Sequence, residues 1–126
     1  MRILLFAVML FSTFVQADAE VSDLPARYSQ LGLEPLNELF DFKYRSFRDG
    51  DRQSIIVRTR GREIYLLVFN APINPRNKVV EINSRRLRPS FTRARIDDAY
   101  VRIEKIYQLR DRAHELEVVK FLRAND

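Results

Sequence analysis

The chain contains no cysteine, which excludes disulfides, thiolate zinc sites, thiol nucleophiles and a lipidated cysteine anchor. It has one histidine, His114, so no dedicated zinc or copper site and no cofactor is expected. Only three glycines occur, with neither a phosphate-cradling glycine loop nor a Gly-x-Ser-x-Gly nucleophile elbow. Small exported domains often compensate for a limited core with disulfides or metals. Here cohesion has to come from apolar burial, which a hydrophobic content of 46% can supply. Lysine is scarce as well: 4 stand against 18 arginines, and the net charge is +5. Guanidinium groups suit phosphate and carboxylate partners because they form bidentate bonds and are weakly hydrated. The alternative is that the charges simply solvate the surface.

What is present at the N-terminus points to export. Met1-Arg2 is followed by an apolar run from Ile3 to Phe11, extended through Ser12-Thr13 to Phe14-Val15, and then by Gln16-Ala17-Asp18-Ala19. A charged start, a short apolar stretch and small residues at two alternate positions are the layout of a secretory signal. The run is shorter than the roughly 20 apolar residues that span a bilayer. Residues 1–19 are therefore expected to be a signal peptide cleaved after Ala19, with cleavage after Ala17 as second choice. No transmembrane segment is expected after cleavage, and the mature protein is expected to be periplasmic or secreted from a bacterium.

Residues 20–39 read as a lead-in, in which Pro25 opens a short helical turn, Gly32 closes it, and Tyr28 and Leu31 face inward. Residues 40–126 read as a single β-rich domain. Phe40, Phe42 and Tyr44 alternate with Asp41, Lys43 and Arg45, the period of a half-buried strand. Asp49-Gly50-Asp51 breaks it. Ser54 to Thr59 is a strand with Ile55, Val57 and Thr59 on one face and Ile56, Arg58 and Arg60 on the other. Arg60-Gly61 is expected to make a tight turn through a glycine at positive φ. Ile64 to Phe69, apolar on both faces, is the candidate central strand. Asn70 to Asn77 is a loop, and Val79 to Ile82 a short strand. Ser84 to Arg95 has too little apolar periodicity for core and reads as a long loop or irregular edge hairpin. After an Asp97-Asp98 turn, Tyr100 to Ile106 is a strand with Val101 and Ile103 inward. Asp111 to Arg123 reads as a helix capped by Asp111, with Ala113, Leu116 and Val119 inward. A final strand with Leu116, Val118 and Leu122 in register is the alternative. The expected architecture is mainly β with a terminal helix: a small antiparallel sheet of five to six strands, bent or closed into a partial barrel.

The residues Tyr65-Leu66-Leu67, Asp97, and Val101-x-Ile103-x-x-Ile106 followed by Tyr107 and Leu109 resemble a family of small exported bacterial proteins defined as a domain of unknown function. That family carries a cysteine in the loop after the Tyr-Leu-Leu strand and a second in a Cys-x-Ile-x-x-Ile segment. The equivalent positions here fall near Pro72 and at Val101. The joint absence fits a pair bonded to each other in the family. The resemblance implies export and lends no activity.

The arginines are the constellation that points to a partner. If the hairpin tip and the following loop share one side of the sheet, Arg58, Arg60, Arg62, Arg85, Arg86, Arg88, Arg93 and Arg95 converge, with Phe91 as an apolar anchor. The expected function is that of a non-catalytic envelope module whose arginine-rich face meets an anionic envelope component or a protein partner. Nucleic acid does not suit that compartment. The other class is a small periplasmic hydrolase using paired carboxylates, Asp97 with Glu104 or Asp98. Against it, Asp97-Asp98 and the Asp49/Asp51 pair read as turns, and His114 reads as a solvated side chain on the terminal helix.

Overall fold

The strands are β1 (Tyr44–Asp51), β2 (Ser54–Thr59), β3 (Ile64–Phe69), β4 (Val80–Glu81), β5 (Arg93–Ile96) and β6 (Ala99–Leu109), of which β2 and β3 are dense in β-branched and aromatic residues. They are accompanied by a single turn of helix, α1 (Ala26–Ser29), and a C-terminal helix, α2 (Arg112–Ala124). This is a computed structural model, and it describes residues 24–126. The signal-peptide reading of residues 1–19 lies outside the described residues. Among them no helix is long and apolar enough to cross a membrane.

All strand pairs are antiparallel, in the order β1-β2-β3-β6-β5-β4. The sheet is nearly closed. Leu39 and Leu87 exchange two main-chain hydrogen bonds of 2.9 Å, and the Phe42 amide donates to the Arg85 carbonyl at 2.8 Å, so the chain entering β1 pairs with the chain leaving β4. Where β6 runs on beyond β5, loop residues cover its open edge: Ser90 and Leu36 amides donate to the Ile103 and Ile106 carbonyls.

β6 explains how Val101, Ile103 and Ile106 can share a face despite their uneven spacing. Val68 pairs with Lys105 but Phe69 with Ile103, so Glu104 is an extra residue and the face parity switches there. The i, i+3 step inside a strand is the sequence mark of that bulge.

Two cores result. Ile55, Val57, Tyr65, Leu67, Phe69, Leu87, Ile96, Ile103 and Ile106 fill the barrel interior, while Ile56, Ile64, Leu66, Val68, Tyr107 and Leu109 meet Val118, Val119 and Leu122 of α2, with Tyr28 of α1. β3 is buried at every position because it serves both, as its unbroken apolar run requires. Asp111 caps α2, accepting from the His114 amide at 2.9 Å. Pro25 opens α1 and Gly32 follows it at φ +71°.

Several expectations are corrected. The alternation at Phe40–Tyr44 is not a strand: Asp41 sits at φ +54°, Phe42 is buried and Phe40 points to solvent. β1 continues through Asp49-Gly50-Asp51, and the turn is made by Arg52 and Gln53. At the next hairpin the left-handed residue is Arg62 at φ +71°, not Gly61, because the Thr59 carbonyl accepts from the Arg62 amide and the residue closing that turn takes the positive φ. Ser84 to Arg95 does supply core, through the fully buried Leu87 and Ala94, and its end is β5. The inner face of α2 is His114, Glu115, Val118, Val119 and Leu122, with Ala113 and Leu116 exposed. Glu115, a charged residue, is fully buried because Arg48 and Arg58 reach its carboxylate.

Gly50 marks the bulge in β1, where the pairing steps from Asp49–Ile55 to Asp51–Ser54. A Cβ there would stand 2.6 Å from Ser54 Oγ and 3.3 Å from the Ser54 carbonyl oxygen. Gly50→Ala is expected to cost about 1–3 kcal/mol in urea unfolding. An unchanged midpoint would show that the Ser54 hydroxyl rotates aside without loss.

Candidate anion-binding cleft

The closing seam of the barrel brings together three short segments that are distant in sequence. Phe42-Lys43-Tyr44 enters β1, Arg60 leaves β2, and Ile82 to Arg85 leaves β4. Main-chain bonds fix them: the Arg60 amide donates to the Lys43 carbonyl at 3.0 Å, and Phe42 to Arg85 as above. Between them lies an open cleft of about 390 Å³. Phe42 and Ile82, both buried, form its apolar floor, and Asn83, Ser84 and Tyr44 supply uncharged polar groups. Lys43, Arg60 and Arg85 supply three positive charges, and among the described residues no acidic side chain lines the cleft. Among the described residues, no carboxylate stands within ion-pair distance of these three side chains, a state they share with surface arginines such as Arg76 and Arg112, so it is their gathering on one concave surface that sets them apart. Three like charges on one concave surface form a field that an anion relieves, with arginines able to bind it through two parallel N–H donors.

The eight arginines singled out from sequence do not form one surface. Arg58 shares a face with Ile56 and turns to α2, where its Nη2 lies 2.7 Å from Glu115 Oε1. Arg86 pairs with Glu38. Arg95 is held by Glu81 at 3.5 Å, Asp98 at 3.8 Å and the Asp97 carbonyl at 3.0 Å. Arg88 lies over the Phe91 ring, 4.7 Å from its centroid. Arg62 occupies the hairpin tip, and Arg93 is exposed in register with Arg102. Arg60 and Arg85 meet in the cleft, joined by Lys43, which the period-two alternation alone places in a strand. Nothing local marks Lys43, because its neighbours in the cleft come from closure of the sheet.

The carboxylates of the hydrolase reading sit elsewhere. Asp97 Oδ1 accepts from the Val79 amide at 2.8 Å, Asp98 extends into water, and Glu104 pairs with Arg102 at 2.9 Å. His114 is buried rather than solvated, its Nδ1 accepting from the Arg110 amide at 3.0 Å. Among the described residues no group of three His, Asp or Glu side chains could hold a metal ion.

A second polar cluster was not legible in the sequence. Asp51, buried at the end of β1, accepts from the Tyr28 hydroxyl at 2.7 Å, Arg27 Nε at 2.8 Å, the Gln53 amide at 2.9 Å and Ser54 Oγ at 2.8 Å. Burial alone pushes its carboxyl pKa up, but bonds from Tyr28, the Gln53 amide, Arg27 and Ser54 together hold it below the ordinary carboxylate value. Burial and donation to Asp51 push the Tyr28 hydroxyl well above the usual phenol range. With four donors on two oxygens, Asp51 has little capacity left for a substrate; it clasps α1 to the β1–β2 hairpin.

Comparison with protein-family models, curated proteins and solved structures finds no match to this chain.

Proposed function

We propose that this protein is an exported, non-catalytic binding module that captures anionic groups in the cleft of Lys43, Arg60 and Arg85. The observation that carries the reading is a concave site lined by three cationic side chains and, among the described residues, no acid, while Arg86 and Arg95 have carboxylate partners. The N-terminal sequence supports a setting outside the cytoplasmic membrane, where lipid phosphates and acidic polymers are the abundant anions.

The test is titration with polyphosphate at low and at physiological salt. Wild type is expected to bind with an affinity that falls steeply as salt rises. The triple variant K43Q/R60Q/R85Q is expected to bind at least about tenfold more weakly with little change in melting temperature. The variant R76Q/R110Q/R112Q, which removes the same charge from exposed positions outside the cleft, is expected to stay close to wild type. Equal losses in both variants would reduce the cleft to general surface charge, and absence of binding at low salt would remove the reading.

A further inference from the structure

Two exposed phenylalanines flank the same seam, and each carries a guanidinium. Phe40 is 65% and Phe91 68% exposed. Arg86 lies over the Phe40 ring at 5.3 Å and Arg88 over the Phe91 ring at 4.7 Å. The Leu39–Leu87 pair decides where these groups point. Leu87 is fully buried, so the residues that alternate with it, Arg86 and Arg88, belong to the outer face, with Phe40 against Arg86. Arg85 precedes Arg86 in the chain and by the same alternation takes the parity of Leu87, so it lines the cleft at the end of the barrel, next to the outer strip rather than on it. Each ring also stands beside a non-glycine residue in the left-handed region, Asp41 at φ +54° next to Phe40 and Ser90 at φ +73° next to Phe91. The backbone is thus bent unfavourably at both places where an aromatic ring leaves the surface.

We propose that this seam is a docking edge for an anionic lipid bilayer, with lipid phosphates as the anions and Phe40 and Phe91 entering the headgroup boundary. The inference rests on the reading of the cleft as an anion site and names its partner. A weakly hydrated guanidinium can stay stacked on a ring while bonding a phosphate, which places the ring just below headgroup level. Lys43, Arg60 and Arg85 of the adjoining cleft add positive charge, and the acids near the rings are Glu38, paired with Arg86, Asp41 next to Phe40, and Glu104, which pairs with Arg102 and lies 3.5 Å from Ser90 Oγ. A dissolved polyanion would use the charges and leave the rings in water. A bilayer interface uses both, since binding there combines buried apolar area with attraction to anionic lipid.

The experiment compares vesicles of phosphatidylcholine alone with vesicles containing about 30% phosphatidylglycerol, alongside polyphosphate. Wild type is expected to sediment with the anionic vesicles and not with the neutral ones. F40S/F91S is expected to lose about tenfold in vesicle partitioning while holding its polyphosphate affinity within about twofold. Because the chain has no tryptophan, F91W introduces a single indole whose emission should shift to the blue on anionic vesicles. Vesicle binding unchanged in F40S/F91S, or an unshifted F91W spectrum, would overturn the bilayer assignment. Binding to polyphosphate but not to anionic vesicles would overturn it as well, in favour of a soluble or protein-borne anion, and leave the cleft reading standing. Failure to bind either probe would remove both.

Discussion

Replacing Arg48 and Arg58 together by alanine is expected to lower the unfolding free energy by about 3–5 kcal/mol, because it strands the Glu115 carboxylate without a partner. Glu115 is fully buried on the inner face of α2, and its two oxygens are held by Arg58 at 2.7 Å and Arg48 at 3.2 Å. The arginines come from β1 and β2 and reach solvent, so their own desolvation is partial. The asymmetry makes the direction of removal matter. Glu115→Leu leaves two arginines that can turn into water and keeps the volume filled, so it is expected to cost clearly less than the double arginine variant. Urea unfolding of both variants checks the order. A void of about 40 Å³ beside Glu115, Arg48 and Arg58 is large enough for roughly one water. If the double variant loses less than about 1 kcal/mol, water entering there has replaced the arginines and the pairing is not what permits burial.

Asp51→Ala is expected to cost a similar amount, about 3–5 kcal/mol, since the residue closes four hydrogen bonds and links α1 to the first hairpin. Asp51→Asn keeps the shape but cannot accept all four donors, so it should fall between wild type and alanine. The pH dependence has a defined sign. Asp51 has a lowered folded-state pKa, so its stabilisation is fully present above about pH 4 and is lost as the pH falls through the folded value. Tyr28 has a raised one, so its contribution is whole below about pH 10 and declines above that, where the unfolded chain ionises first. Tyr28→Phe is expected to cost about 1–2 kcal/mol near neutrality and to flatten part of the alkaline loss. Burial also raises Tyr44, Tyr65 and Tyr107, so a slope remains. An Asp51→Ala variant with wild-type acid sensitivity would show that other carboxylates govern the acid limb.

The misreadings share a physical origin. Phe40 and Lys43 sit in a run whose period-two alternation is genuine, yet Asp41 interrupts it and the pairing partner is the distant segment around Leu87. His114 reads as solvated because a helix face is judged by polarity, and polarity alone does not reveal that its neighbour Glu115 is buried against arginines from another element. Sequence alone does not separate Arg60 and Arg85 from Arg58 and Arg86, which the fold hands to carboxylates far away in the chain, or from Arg95, which pairs with Glu81 and Asp98.

Local chemistry was sufficient where neighbours along the chain do the work. The unbroken apolar run of β3, the strand Ser54–Thr59, the Asp111 cap and the turn between Pro25 and Gly32 were all readable from the residues themselves. So was the mainly antiparallel, barrel-like architecture with its terminal helix, since alternation and turn chemistry act over a few residues. Tertiary structure alone decided which charges are spent and which are left. Closure at Leu39 and Leu87 gathers Lys43, Arg60 and Arg85, and burial of Glu115 and Asp51 claims Arg48, Arg58 and Arg27. Coulomb interactions depend on distance in space, and a sequence of this length supplies that distance only after the sheet has closed.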